Sequence, residues 1–572
     1  MSIQTTIKSV RNDPVSMVIV VVLAISLILR LFGVDYGLPF LFHNDEGNEV
    51  LRALQLGTGS FDFERISKGG FFYVLFVEFG FLFVFLKLFG VVGSASDFGA
   101  YFIENPTAFY LLGRATTALI GTVTVYIVYR IGKLAYSPMA ALAAAILLSV
   151  NVLHAQLSHY ITVDVPMVCL ASGALYFAIK ISSDGKGKDY FLAAILAALA
   201  TTTKISAVLL LLPLFLAHVF QVNRRGGQWH EWFVDKRLLK SAVLFIGAYI
   251  IVTPGILVNF GPLTSHILRI FGGSDAGSVA AGANLAVESF ASRTNLFGFY
   301  FGVIVASMTW PVFVLCAAGT VYAIWRRRQA DILLLSFGIA VYLLMSLSAD
   351  KQLFFPRYIL PLFPIMALFG GRLLSDVLQS MQARWRNIAT ALILAVLCVT
   401  PLIEIVQANI IAGKKDTRAI AKEWFDAEIP YGSRVFIEGS RGSLYEGTVP
   451  LRNSAKNIES VIEFYRTTNP GKARYFRMAL KAATEESYDL YGVRPNELES
   501  LDHYKSIGIQ YFILRPTFYG NSRLRRHWAE LVREIRSDSD MKLLHNFESV
   551  PNVTPGPTIE IYQNLAAESG EQ

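Results

Sequence analysis

The chain of 572 residues is 53% hydrophobic and only 16% charged, and its mean hydropathy is +0.46, which excludes an ordinary soluble globular protein. The formal net charge is +8; in so apolar a chain an excess of Lys and Arg reads as basic loops on the cytoplasmic side of a membrane rather than as nucleic-acid binding. Cys169, Cys316 and Cys398 all fall in apolar runs, a pattern that implies neither a disulfide framework nor a zinc site.

Lys8 and Arg11 precede an apolar run from Val15 to about Phe32, interrupted near its end by Arg30. The run is long for a signal core and no small-residue cleavage site follows, so it reads as an uncleaved first span. Next comes "FLFHNDEGNEV" (Phe40–Val50), which sets the carboxylates Asp45 and Glu46 just beyond that span. "NDEGNEVLRAL" has the form of a helix start, with Asn44 or Asp45 as N-cap. Further candidate spans follow at roughly 107–129, 138–153, 162–181, 190–203, 205–222, 241–258, 297–324, 331–348, 357–376 and 387–411, making about eleven with the first at 14–33. With these spans the clusters Lys8/Arg11, Arg130/Lys133, Lys180/Lys186/Lys188, Arg224/Arg225/Lys236/Arg237/Lys240, Arg326–Arg328 and Arg384/Arg386 all fall on one side, which is then the cytoplasm. The odd count puts the C-terminal part outside.

The same sidedness forbids a single crossing by "GGFFYVLFVEFGFLFVFLKLFG" (Gly69–Gly90). It is expected to lie in the outer interface, within a first external loop from about 34 to 106. Beyond residue 411 the composition turns polar and no run could span a bilayer, so 1–411 reads as a transmembrane domain and 412–572 as a soluble extracytoplasmic domain. In the latter, "DTRAIAKEWFDAEI", "GKARYFRMALKAATEE" and "SRLRRHWAELVREIRS" have helical patterns. "SRVFIEG", "IQYFILRP", "MKLLHNF" and "TIEIYQN" read as strands, so this is a small α/β domain without a phosphate loop, metal-ligand spacing or nucleophile elbow.

Charged groups at a membrane boundary are costly unless they have a partner or a task. Five segments bring them to the outer ends of spans: Asp45 and Glu46; Arg114 in "LLGRATTALIG"; His154, His159 and Asp164 in "HAQLSHYITVDVP"; Lys204 in "ATTTKISA"; and Asp350, Lys351 and Arg357 in "DKQLFFPRYILPLFP". Acids and bases converging on one face suit a site where an anionic head group meets a nucleophile. Arg and Lys hold phosphate, and a carboxylate can take a proton from an acceptor hydroxyl. Each residue also has a plainer reading. Asp45 and Glu46 suit the first turn of a helix. Arg114, Lys204 and Arg357 could anchor or snorkel at span ends. His154 and His159 could be hydrogen-bonding groups, since no further metal ligand accompanies them.

The acidic pair of the first loop, the Arg of "LLGRATTAL", "SHYITVDVP" and "RYILPLFP" together resemble the membrane glycosyltransferases of the GT-C class, in particular the protein O-mannosyltransferases and the lipid A aminoarabinose transferases. The resemblance covers roughly residues 10–410. It implies a polyprenyl-phosphate-linked sugar as donor, bound from the membrane, and inverting transfer to a glycan, lipid or protein acceptor on the outer face of the cell membrane. It matches Asp45 to the family's catalytic carboxylate, expected to be the general base, with Glu46 as its helper, and Asp164 to the acidic residue of the second short external loop. Arg114, Lys204 and Arg357 are the candidates for the donor phosphate, with His159 and Tyr160 as acceptor or support residues. No cofactor beyond the lipid-linked donor is implied; a divalent metal is compatible but not indicated. The competing readings are a transporter or flippase of a lipid-linked or anionic solute, which would need ionisable residues near the midplane and two related halves, and a non-catalytic assembly subunit.

Overall fold

The structure, a computed structural model, describes residues 14–57, 70–257, 296–347, 355–439, 447–468, 470–493, 497–516 and 522–568. The chain divides into two compact units. The first comprises Met1–Val34, Asp62–Val74 and Arg114–Val406, and the second Asp35–Phe61, Leu75–Gly113 and Gln407–Gln572.

Apolar sequence of span length can satisfy its backbone only within a helix, and the described residues up to 412 are mostly helical: α1 (Pro14–Leu31), α2 (Asn44–Leu56), α3 (Phe71–Leu88), α4 (Ala95–Glu104), α5 (Thr107–Ala135), α6 (Pro138–Ser149), the short α7 (Val152–Leu157), α8 (Asp164–Ser183), α9 (Gly187–Thr203), α10 (Leu211–Arg224), α11 (Lys236–Val252), α12 (Leu296–Met308), α13 (Trp310–Arg326), α14 (Gln329–Leu347), α15 (Leu362–Val377) and α16 (Ala383–Ala412). Each of the eleven predicted stretches coincides with helix, give or take a turn at its ends. Among the described residues seven helices are long and apolar enough to cross a membrane, and α12 with α13 makes an eighth. This is a multi-pass membrane protein. Phe71–Leu88 is one of the seven, so its length alone does not hold it at the interface.

The stretch 297–324 departs from the single straight span expected of it. It is two helices bent by 116°. The turn is made at Thr309, whose φ is 61°, and Pro311 follows in the first turn of α13, where a missing N–H costs nothing.

Without water between them, helices in a bilayer gain stability by close packing, which small residues permit. The Gly370–Gly371 pair of α15 does this on two sides. A Cβ on Gly371 would lie 2.6 Å from the Ala140 carbonyl oxygen and 2.7 Å from the Ala144 nitrogen of α6. One on Gly370 would meet Cys316 Sγ of α13 at 2.8 Å, and across the same contact Gly319 lies under the Phe369 carbonyl. Charges inside this unit are closed off. Arg372 and Asp331 pair with neither side chain exposed. Tyr136 donates to the same carboxylate at 2.9 Å, and the Arg328 N–H donates at 2.8 Å. Arg30 of α1, equally buried, donates to Ser26 Oγ at 2.6 Å, to the Ser149 carbonyl at 3.2 Å and to His154 Nδ1 at 3.0 Å.

The second unit holds α2, α4 and the C-terminal α/β domain. That domain is a five-stranded sheet of β1 (Arg434–Glu438), β2 (Asp489–Val493), β3 (Tyr511–Leu514), β4 (Met541–Phe547) and β5 (Ile559–Asn564), in the order β2-β1-β3-β5-β4. β2, β1 and β3 run parallel; β5 is antiparallel to β3 and to β4. Alternation along the strands feeds two cores. Phe436, Phe512 and Leu514 pack with Trp528, Leu531 and Ile535 on one face, and Val435, Ile437, Tyr511 and Ile513 with Phe425 and Ile429 on the other. The four predicted strands are present, and β2 is an addition.

Arg418, in the helix Thr417–Glu428, ties the first loop to this domain. It is buried and grips Asp416 through both carboxylate oxygens at 2.7 and 2.8 Å. It also donates to the Tyr36 hydroxyl at 2.9 Å, the Gly447 carbonyl at 2.9 Å and the Phe42 carbonyl at 3.3 Å. Its guanidinium lies 3.9 Å from the centroid of the Phe42 ring.

Two stability predictions follow from the first unit. Asp331→Asn leaves the buried guanidinium with Asp376 alone, 3.5 Å from its Nε, and is expected to cost up to about 3–5 kcal/mol, while the double change Asp331→Leu with Arg372→Met restores most of it. Thermal unfolding of the detergent-purified protein reads both. Gly371→Ala forces apart backbones with no room to yield and is expected to cost roughly 1–3 kcal/mol. Gly247→Ala, a helical position with nothing within 4 Å of the added carbon, should leave the midpoint unchanged or raised.

Candidate functional site

Three of the residues singled out from the sequence come together in the first unit, each at a break between helices. Asp164 opens α8, where a helix N-terminus favours negative charge. Lys204 follows the last residue of α9 in extended conformation, φ −152° and ψ 121°, before a 3₁₀ turn over Ile205–Leu210. Arg357 sits in the 3₁₀ turn Pro356–Ile359. Lys204 Nζ lies 2.5 Å from Asp164 Oδ1, and Arg357 Nε lies 3.9 Å from Oδ2. The carboxylate is 3% exposed, the lysine 15% and the arginine 22%. Aromatic faces complete the support: Lys204 Nζ is 4.3 Å from the Tyr358 ring centroid, and Arg357 lies 4.5 Å over Phe355.

Two cations therefore face the Asp164 carboxylate. The carboxylate is buried and spends itself on holding the cations, and the cations are the part open to an incoming group. Such a cluster presents two part-exposed cations, fixed in direction by one buried carboxylate. It is suited to a phosphate.

The other candidates lie elsewhere. Arg114 is buried and donates to the Val34 carbonyl at 2.8 Å. His159 sits between the Phe32 carbonyl, 3.0 Å from Nε2, and the Gln156 carbonyl, 3.2 Å from Nδ1. Two acceptors favour a charged ring, but burial outweighs them and lowers its pKa, aided by the charge of Arg30. The neutral ring then donates to one carbonyl only. His154 is pushed well below the usual histidine range by burial and by Arg30; as it accepts from that guanidinium at Nδ1, its proton stays on Nε2. Tyr160 is half-buried beside them. Asp350 and Lys351 lie outside the described residues.

Asp45 and Glu46 belong to the second unit, in the first turn of α2. The N-cap is His43, not Asn44 or Asp45, and no side chain caps the helix. Glu46 is buried and Asp45 half-buried, so the pair is not a solvated loop end. Sequence reasoning passed over Glu49 and Arg52, one and two turns further along, which are buried on the same helix and pair at 3.9 Å. Their i, i+3 spacing was the available signal. Among the described residues no group of three or more His, Cys, Asp or Glu side chains is placed to hold a metal ion.

Residues 111–253 match the family described as dolichyl-phosphate-mannose-protein mannosyltransferase. This quarter of the chain contains Arg114, His159, Tyr160, Asp164 and Lys204. Among solved structures, ArnT from Cupriavidus metallidurans bound to undecaprenyl phosphate is similar over 97% of this chain and 99% of its own, with a TM-score of 0.50 at 13% identity. The chain has the GT-C glycosyltransferase fold. The archaeal oligosaccharyltransferase AglB from Archaeoglobus fulgidus, in complex with an inhibitory peptide and a dolichol-phosphate, has 14% identity, a TM-score of 0.49 and coverage of 95% and 80%. The mycobacterial arabinofuranosyltransferase AftD has 13% identity, a TM-score of 0.42 and coverage of 95% and 41%. No curated protein matches the chain. The matched family gives the enzyme class, a glycosyltransferase.

The histidines give a pH prediction. His154 and His159 have lowered pKa values in the fold, so the unfolded chain binds more protons once the pH drops to the ordinary value of about 6.5. Their contribution is therefore complete above about 6.5 and is lost as the pH falls below it. The thermal midpoint should fall between pH 7.5 and 5, and fall less in His154→Gln, which can still accept from Arg30 but does not titrate. An acid response identical in the two proteins would place the effect elsewhere.

Proposed function

We propose that this glycosyltransferase moves a sugar from a polyprenyl-phosphate donor to an acceptor on the outer face of the cell membrane, with inversion at the anomeric carbon. The observation that carries this reading is the Lys204–Asp164–Arg357 cluster, with its buried carboxylate and part-open cations. ArnT, similar in fold, binds undecaprenyl phosphate, and the segment with Arg114, Asp164 and Lys204 matches a dolichyl-phosphate-mannose-dependent family.

In the proposed reaction an acceptor oxygen attacks the anomeric carbon as the bond from that carbon to the phosphate oxygen breaks. The electron pair leaves with the polyprenyl phosphate, whose charge is met by Lys204 and Arg357, with Arg114 as a further cation. Asp45 takes the acceptor proton and Glu46 orients acceptor or base. Asp164, assigned from the sequence to the catalytic group, acts by aiming the two cations. His159 and Tyr160 support the acceptor side. A phosphate leaving group needs stabilisation of its charge more than protonation, so the paired acids of a glycosidase are not required. The acceptor is a glycan, a lipid or a protein. A C-terminal domain outside, an N-terminus in the cytoplasm and α3 in the outer interface complete the proposed topology, supported by basic clusters that share one side.

Asp45→Asn should lower kcat by about 10²–10⁴-fold with the donor KM little changed, the range for loss of a general base. Lys204→Gln should raise the donor KM as well as lower kcat. Sugar transfer from a synthetic polyprenyl-phosphate sugar in membranes measures both. Full turnover in Asp45→Asn would remove the base assignment, and solute flux in proteoliposomes lacking any donor would favour the transporter instead.

A further inference from the structure

Away from this cluster, α1, α5 and α8 enclose a groove of about 510 Å³. Its walls are of two kinds. Val20 and Leu23 of α1 give it an apolar side, with Val20 more than half exposed, as expected of a surface facing hydrocarbon. Its polar lining is Arg130 and Lys133 of α5 with Tyr126 of α5 and Tyr176 of α8.

Arg130 is held rather than loose. One terminal nitrogen donates to the Tyr126 hydroxyl at 3.1 Å, and the other to the Tyr176 hydroxyl at 3.2 Å. The guanidinium lies 5.8 and 5.6 Å from the two ring centroids. Two hydroxyls thus fix its plane and leave further N–H groups to give. Lys133 makes no ion pair among the described residues. The next lysine along α8, Lys180, is already bound to Asp189 at 2.7 Å. Among the described residues no carboxylate lines the groove, so two positive charges stand beside its apolar wall.

We propose that this groove binds an anionic phospholipid, its phosphate on Arg130 and Lys133 and an acyl chain along Val20 and Leu23. Charge complementarity selects the occupant. A zwitterionic lipid brings no net charge to two cations, and residues 1–13, with Lys8 and Arg11 against Asp13, bring charge of the wrong sign. Arg130 and Lys133 form one of the basic clusters that share a side, so the lipid belongs to the cytoplasmic leaflet, where anionic head groups and basic interhelical pockets meet. The groove is separate from the donor cluster in residues and in proposed sidedness.

Native mass spectrometry of the delipidated full-length protein tests this, with added phosphatidylglycerol, phosphatidylcholine of the same chains, or a polyprenyl phosphate. Phosphatidylglycerol should be retained preferentially, and Arg130→Gln with Lys133→Gln should weaken its retention roughly 10- to 30-fold, at about 1 kcal/mol for each cation. Tyr176→Phe keeps the ring but frees the guanidinium; it should weaken retention by a smaller factor and serves if the double variant does not fold. Equal retention of phosphatidylcholine, unchanged retention in these variants, or loss of preference in favour of the polyprenyl phosphate would each overturn the proposal.

Discussion

A charge carried into a membrane has to be answered by another polar group, because the cost of leaving it bare exceeds what most packing contacts return. This constraint sorts the ionisable residues of the first unit. Arg30 is answered by serine, a backbone carbonyl and a neutral histidine; Arg372 is answered by Asp331 and by Asp376. Both are wholly buried, leaving no access for a ligand. Asp164 is answered twice, and its partners keep part of their surface. The same rule that closes off the first two leaves the cations of the third within reach of an arriving anion.

Hydropathy made much of the fold legible because it reports the property that forms the helices. Length and apolarity located the stretches on which α1, α5, α6 and the later helices form. Alternation located β1, β3, β4 and β5. β2 was illegible because it is an edge strand, four of whose five residues are only half-buried, so its pattern carries little alternation. The bend at Thr309 was hidden for the opposite reason: residues on both sides are apolar, and only Pro311 marked the turn. The helix Ala455–Thr468 was there to be read, with Ile458, Val461 and Tyr465 on one buried face.

The site was legible in its members and not in its pairings. Asp164, Lys204 and Arg357 stood out as charges at the ends of apolar runs. Nothing in their spacing says that the carboxylate engages both cations, since Lys204 is 40 residues from Asp164 and the contact depends on how three helix breaks are stacked. The cap of α2 misled in a smaller way. Asn44 and Asp45 are good capping residues, yet His43 takes the position without a side-chain bond. Both carboxylates are thereby pushed into the first turn, where they gain from the helix dipole and where Glu46 becomes buried.

Composition divides the chain at about residue 411, whereas contacts divide it differently. Residues 35–61 and 75–113 cluster with the C-terminal part. Arg418 gives that grouping a physical basis: one guanidinium holds Asp416 and Gly447 of the α/β domain together with Tyr36 and Phe42 of the first loop. Phe42 stands two residues before α2 begins. The start of the acidic helix is therefore fixed from the C-terminal domain, through a planar group with donors enough to serve four partners. A lysine at this position would keep the charge and lose the geometry. In this chain the C-terminal α/β domain is part of the scaffold on which the carboxylates of α2 are set.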